Sequence, residues 1–183
     1  MVKTKLAIAA FLLVIVGLFL YSFTQMDPNF TLPRTSILKG VENSFRHLGY
    51  FNRPLSTFLY VSIVLMLFIS YAAFLAFANH QKITLRQFWL LIGVATVLLV
   101  LSYPAFSYDI FNYIFYAKIV TYYHQNPYEH KALDYPGDPM LSFMHWTQLK
   151  YPYGPVWLLL SIPLSFLGFN YLPATCFLFK SLM

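Results

Sequence analysis

The sequence predicts an all-α protein, a polytopic bundle of transmembrane helices. Of its 183 residues, 59% are hydrophobic and only 10% are charged, whereas about 25% of the residues of a typical soluble domain are charged. The apolar residues fall in long runs instead of following the period of an amphipathic helix or strand. These observations exclude a soluble globular protein and a disordered chain. The single cysteine, Cys176, excludes an internal disulfide and a cysteine metal cluster.

Four apolar runs approach the roughly 20 residues that cross a bilayer, and they predict spans at 6–23, 57–78, 88–106 and 154–169. The first run is longer than the usual signal-peptide core and no small-residue cleavage site follows it, so we expect an uncleaved span. Pro163 interrupts the fourth run, and a further apolar stretch runs from Tyr171 to Met183 without a polar tail. We therefore expect four or five spans and a chain that is part of a longer protein.

Basic residues near the first three spans predict their orientation. They precede the first span or lie between the second and third spans, at Lys3, Lys5, Lys82 and Arg86. The positive-inside rule then places the N-terminus in the cytoplasm and the long loops 24–56 and 107–153 outside. The net charge of +6 fits the lipid bilayer or a phosphate-bearing lipid substrate. No run of Lys and Arg supports binding to nucleic acid.

The segment 107–118 predicts an amphipathic helix that lies along the membrane interface. Its polar residues alternate with Ile and Phe at spacings near three and four. Asp109 falls near the start of this helix, where the helix dipole favours a carboxylate. From the residues alone, Asp109 is either a helix N-cap or a functional ionisable group, such as a general base, near the bilayer boundary.

The segment from Tyr151 to Trp157 combines two prolines and a glycine immediately before an apolar run. This composition predicts a turn, followed by a helix that begins near Pro155. An aromatic belt at the membrane interface accounts for Tyr151 and Trp157. It accounts less well for the Tyr-Gly-Pro sequence between them.

Several motifs follow one another in a recognisable order: Ser-x-Asp with Tyr113 after the third span, Asn126-Pro-Tyr128, His145-Trp146, and Pro152-Tyr-Gly-Pro155. In this order they resemble the membrane glycosyltransferases of the C superfamily. Within that superfamily the sequence is most similar to bacterial and archaeal mannosyltransferases that use polyprenyl-phosphate sugars. The resemblance extends over residues 95–165.

The resemblance implies a GT-C-like bundle of which this chain is the N-terminal portion. Residues 1–87 would be an N-terminal extension with two transmembrane helices and an outer loop, and residues 88–183 would begin the conserved module, with a catalytic outer loop at 107–153. It implies inverting transfer of a sugar, mannose by analogy, from a polyprenyl-phosphate donor to a glycan or glycolipid acceptor. The reaction would take place at the extracytoplasmic face of a prokaryotic plasma membrane, with Asp109 as general base.

One carboxylate suffices for this chemistry, because a phosphate leaves without a general acid but benefits from nearby positive charge. The candidate substrate-binding residues are basic, aromatic or amide side chains in the outer loop: Tyr113, Lys118, His124, Asn126, Tyr128, His145, Lys150 and Tyr153. For each basic residue a headgroup-facing position stays open, and for each tyrosine an aromatic belt. We expect no cofactor and no divalent metal, because the spacing of Asp134 and Asp138 is typical of a turn.

The alternative function is a non-catalytic integral membrane protein, namely a lipid-binding or assembly subunit. The reason for this alternative is the small number of predicted spans, because four or five spans are few to enclose a pocket for a lipid-linked donor. A small transporter fits less well, because the first three predicted spans contain no Asp, Glu, Lys or Arg and transporters place polar groups within broken spans.

Overall fold

A computed structural model of the protein describes residues 2–27, 36–79 and 83–183. The chain forms two compact units, Met1–Ala105 and Phe106–Met183. The described residues are helical or irregular, and among them no β-strand forms apart from one isolated bridge between Lys131 and Lys150. The all-α prediction is confirmed. The domain boundary expected after residue 87 stays a prediction.

The described residues of the first unit form the α-helices α1 (Val2–Ser22), α2 (Ser36–Arg46), α3 (Arg53–Asn79) and α4 (Leu85–Leu101). Two helical stretches, Thr4–Gln25 and Arg53–Ala78, are long and apolar enough to cross a membrane. Many of their large apolar side chains are exposed, as Leu13 and Phe68 are. A bilayer would remove such surfaces from water. The larger number of spans and their orientation stay predictions, and Lys82 lies outside the described residues.

Helix α4 ends earlier than the sequence predicted. The apolar run continues to residue 106, but the helix stops at Leu101 and Ser102 adopts an extended conformation. Pro104 explains this end, because a proline disfavours helix in the residue before it. At the other end, Thr84 and Gln87 form a reciprocal capping box, which satisfies backbone N–H groups of the first turn.

Helix α1 packs on α3 and α4. Phe11 meets Phe74 edge to face at 5.3 Å between ring centroids, and the Tyr21 hydroxyl lies 2.9 Å from Ser56 Oγ. A five-residue π-helix, His47–Phe51, follows α2 and closely approaches the 3₁₀ turn Phe23–Gln25 that follows α1. A Cβ atom at Gly49 would lie 1.9 Å from the Thr24 carbonyl oxygen, so this approach requires glycine.

The second unit contains α5 (Asp109–Thr121), α6 (Pro155–Leu167) and α7 (Leu172–Leu182). Two short 3₁₀ turns, Ala132–Asp134 and Pro139–Phe143, interrupt the connection between α5 and α6. Helix α6 begins at Pro155 after Gly154, which confirms the predicted helix start. Helices α6 and α7 are apolar but have 13 and 11 residues, fewer than the roughly 20 that cross a bilayer.

Helix α5 is present as predicted, but it is not the helix with an exposed polar face that the sequence indicated. Its position at the membrane interface stays a prediction. Ten of its 13 residues are buried, because α6, α7 and the Pro139–Phe143 turn pack around it. Two of its polar side chains toward its C-terminal end have partners within the unit. Lys118 pairs with Asp138, and Thr121 Oγ1 lies 2.9 Å from Ser165 Oγ. The helix is therefore the centre of the second unit.

Candidate active site

One face of α5 carries a group of polar side chains that includes two of the candidate site residues, Asp109 and Tyr113. Asp109, Asn112, Tyr113 and Tyr116 are three or four residues apart, so they share one side of the helix. A cavity of about 270 Å³ lies against this face. We call it the Asp109 cavity, and it is lined by Asp109, Asn112, Tyr116, Trp146, Leu149, Pro152 and Tyr153.

The wall opposite α5 is formed by residues 146–153, and hydrogen bonds to its backbone hold it in position. The Tyr116 hydroxyl donates to the Leu149 carbonyl at 3.0 Å, and the Tyr128 hydroxyl donates to the Tyr153 carbonyl at 3.1 Å. The Tyr151 N–H donates to the Pro127 carbonyl at 3.0 Å. Burial raises the pKa of Tyr116 to about 12, so this hydroxyl stays protonated and able to donate at neutral pH.

Asp109 is the first residue of α5 and lies in the Asp109 cavity. The N-cap position belongs to Tyr108, which makes no side-chain capping bond. The backbone N–H of Asp109 donates to Ser107 Oγ at 3.2 Å. No residue that the structure describes donates a hydrogen bond to the Asp109 carboxylate. Its oxygens are therefore available to a ligand, in a position that the helix dipole favours for negative charge.

Asn112 lies one turn further along the same face and is only 3% exposed. Its Oδ1 is buried and accepts no hydrogen bond within the described part of the chain. Sequence reasoning did not assign Asn112 to the site. Its spacing of three from Asp109 was the available signal.

Tyr113 and Tyr153 lie together at the edge of the cavity. Their rings meet edge to face at 5.1 Å, and Trp157 approaches Tyr113 from another side at 5.6 Å. Burial, a side-chain hydrogen bond with Tyr153 and the charge of Asp109 together raise the pKa of Tyr113 above its ordinary value. The Tyr113 phenol is therefore neutral beside the carboxylate.

Lys118, a candidate for phosphate binding, lies away from this cavity. It is nine residues after Asp109, a position on the opposite side of the helix. Its ammonium group pairs with Asp138 at 2.5 Å in a largely buried environment. Burial alone would raise the pKa of Asp138, but hydrogen bonds from Lys118, the Met140 N–H and Tyr123 outweigh it, and the net pKa is lowered.

Three of the remaining candidates shape the loop around the cavity without lining it. His124, three residues after the end of α5, has a left-handed φ of 55° and its side chain is exposed. The Asn126 amide donates to Glu129 Oε1 at 2.9 Å and accepts from the Tyr128 N–H at 3.0 Å. Tyr128 supports the wall through its bond to the Tyr153 carbonyl.

Of the other two candidates, His145 directly precedes the wall in sequence and Lys150 lies within it. His145 precedes Trp146, and its ring lies 4.5 Å from that of Tyr108. Lys150 is exposed and follows Leu149. The structure therefore brings Asp109, Tyr113 and Tyr153 together. Sequence reasoning did not assign Asn112, Tyr116 or Leu149 to the site. It noted Trp146 and Pro152 in motifs but did not assign them either.

A metal centre is not evident in the described ranges 2–27, 36–79 and 83–183. No group of three or more His, Cys, Asp or Glu side chains within them is arranged to hold a metal ion. The one carboxylate at the Asp109 cavity faces aromatic and amide groups. This arrangement suits proton transfer to a carboxylate from a neutral, polar ligand.

Comparison with known proteins shows the class of protein, because the chain matches a family of glycosyltransferases. The match is to the MptA_B family, described as alpha-(1->6)-mannopyranosyltransferase, N-terminal domain, and extends over residues 6–183. The chain therefore belongs to this family of mannosyltransferases, and the resemblance of an N-terminal portion to mannosyltransferases, inferred from the motifs, is confirmed. No curated protein and no solved structure matches the chain. Together with the two apolar helices, the family indicates membrane association.

Proposed function

We propose that this protein transfers mannose from a polyprenyl-phosphate donor to a glycan or lipid acceptor, with inversion at the anomeric carbon and with Asp109 as general base. One observation carries the proposal. The Asp109 carboxylate lines a cavity of about 270 Å³ and receives no hydrogen bond from the described residues. Sugar transfer needs such an available base near the acceptor hydroxyl.

The reaction breaks the bond between the anomeric carbon and the phosphate oxygen, and forms a bond from that carbon to the acceptor oxygen. Asp109 accepts the proton of the acceptor hydroxyl, and the polyprenyl phosphate departs with the electron pair. The family description specifies an α-(1→6) linkage, so the acceptor would present the 6-hydroxyl of a sugar. Inversion to an α product requires a β-linked donor.

The departing phosphate needs positive charge nearby, and Lys118 is already paired with Asp138. In this proposal the contacts to phosphate come from His145 and Lys150, which are exposed near the wall of the cavity. No divalent metal and no other cofactor takes part. In this proposal catalysis takes place at the extracytoplasmic face of a prokaryotic membrane. The distribution of basic residues supports the outer side for the loop that contains Asp109.

The decisive experiment replaces Asp109 by asparagine in the full-length protein. Purified protein in lipid vesicles is supplied with radiolabelled polyprenyl-phosphate mannose and octyl α-mannoside, and transfer is measured. We expect kcat to fall by about 10²–10⁴-fold, the typical contribution of general acid–base catalysis. The control is Asp134→Asn, because Asp134 is half-exposed, does not line the cavity, and accepts the Lys131 N–H through an oxygen that asparagine retains.

Unchanged transfer by the Asp109→Asn protein would show that Asp109 is not the general base. Absence of transfer by the wild-type protein would favour the alternative, a non-catalytic lipid-binding or assembly subunit.

A further inference from the structure

The Asn112 side chain is unusual because it is buried without the partners that an amide normally has. It is 3% exposed, and no described residue donates a hydrogen bond to its Oδ1. Buried polar groups in native proteins are almost always hydrogen-bonded, so each exception calls for an explanation. Asn112 lines the Asp109 cavity, and a ligand in this cavity would supply the missing partner.

The cavity also offers aromatic surface on the side opposite Asn112. Trp146 is 51% exposed and Tyr153 is 37% exposed, and both line the cavity. An aromatic ring suits the apolar C–H face of a sugar, whereas an amide can both donate to and accept from a hydroxyl group. The volume of about 270 Å³ lies just below the range of about 300–1,000 Å³ for ligand pockets. Such a space suits a monosaccharide unit.

Either the sugar of the donor or the sugar of the acceptor could occupy the cavity, and the charge of the residues that line it favours one of them. Asp109 is the charged residue among the described residues that line the cavity, and no Lys, Arg or His is among them. A phosphate in this cavity would meet a carboxylate of the same charge without a compensating cation, which is unfavourable. A neutral sugar carries no such penalty, so the lining favours the acceptor.

We infer that the Asp109 cavity is the subsite for the terminal hexopyranoside of the acceptor, and that Asn112 positions it through a hydroxyl. This inference rests on the proposed function, in which Asp109 takes the proton of the acceptor hydroxyl. Asn112 lies about 4.5 Å further along the helix axis than Asp109. It holds a second hydroxyl of the same ring and so sets which acceptor hydroxyl reaches the base. Trp146 supports the face of the ring.

The first test is Asn112→Leu, which keeps the approximate size of the side chain and removes its polar atoms. We expect the KM for octyl α-mannoside to rise about fivefold to tenfold, as for one lost hydrogen bond, and the KM for the donor to stay within about twofold. The unfolding temperature is expected not to fall, because no hydrogen bond within the described chain is lost at Oδ1. A purely structural role predicts the reverse, a lower unfolding temperature and an unchanged acceptor KM, and that result would overturn the inference.

A second variant covers the case in which Asn112→Leu does not fold. Trp146→Ala changes a half-exposed side chain, and we expect it to raise the acceptor KM and leave the donor KM unchanged. The matched control is Trp89→Ala on α4, where the side chain is 62% exposed and lies in the other unit. A rise in the donor KM alone would assign the cavity to the donor and refute the acceptor subsite.

A binding measurement separates this inference from the proposed function. Binding of octyl 6-deoxy-α-mannoside, which lacks the reacting hydroxyl, is followed by saturation-transfer NMR with the wild-type and Asn112→Leu proteins. Binding that weakens about fivefold to tenfold in the variant supports the subsite even where no transfer is observed. Equal binding by both proteins, together with normal transfer by the wild type, would refute the subsite and leave the proposed function intact.

Discussion

Replacing Asp138 by asparagine removes one charge of the buried pair that joins α5 to the following loop. The Asp138 side chain is 1% exposed and that of Lys118 is 11% exposed. Without the carboxylate, the Lys118 ammonium group stays buried and uncompensated, which costs about 3–5 kcal/mol in comparable proteins. For a chain of this size, that loss corresponds to a fall of about 6–20 °C in the unfolding temperature.

The measurement is thermal unfolding of the purified protein in detergent, followed by tryptophan fluorescence and circular dichroism. The control is Asp134→Asn, because Asp134 is 38% exposed and its pairing with His130 is at the surface. Exposed pairs contribute about 0–1 kcal/mol. We expect this control to unfold within a few degrees of the wild type.

A double variant tests the reasoning about charge. Lys118→Met combined with Asp138→Asn leaves no charge in the buried site, so we expect it to recover much of the stability lost by Asp138→Asn alone. If Asp138→Asn unfolds at the temperature of the surface control, the pair does not stabilise the fold. If the double variant is less stable than both single variants, the explanation by an uncompensated charge is wrong.

Two further predictions concern pH and the cavity wall. Because the pKa of Asp138 is lowered in the folded protein, its contribution to stability is present above the unfolded value of about 3.9 and is lost as pH falls through the lower folded value. Unfolding temperatures of wild type and Asp138→Asn should therefore converge below about pH 4. Tyr116→Phe removes the bond to the Leu149 carbonyl, and we expect about 1 kcal/mol less stability and a higher acceptor KM. An unchanged KM would show that this bond does not hold the wall.

Local features of the structure were largely predictable from sequence. The helix at 109–121 follows from the spacing of its polar residues, and the start of α6 at Pro155 follows from the preference of proline for the first helical turn. The end of α4 at Leu101 could have been read from Pro104, but the continuous apolar run suggested a longer helix. Short-range rules decided each of these points.

The burial of α5 could not be predicted in the same way, because it depends on partners distant in sequence. From the sequence, Lys118 is a candidate for phosphate binding. The structure shows that it pairs with Asp138, which lies twenty residues later in the chain. The same holds for the cavity. The spacing of Asn112 from Asp109 places the two residues on one face, but nothing in the local pattern around Asn112 indicates that residues 146–153 close against it.

The hydrogen bonds that hold the cavity wall end on backbone carbonyls. Tyr116 and Tyr128 donate to the main chain of Leu149 and Tyr153, so these bonds do not depend on which side chains the wall carries. Leu149 and Trp146 can therefore be exchanged while the geometry around Asp109 is kept. Substrate preference can diverge in such a loop without loss of the fold, and libraries aimed at new acceptors are best begun at these two positions.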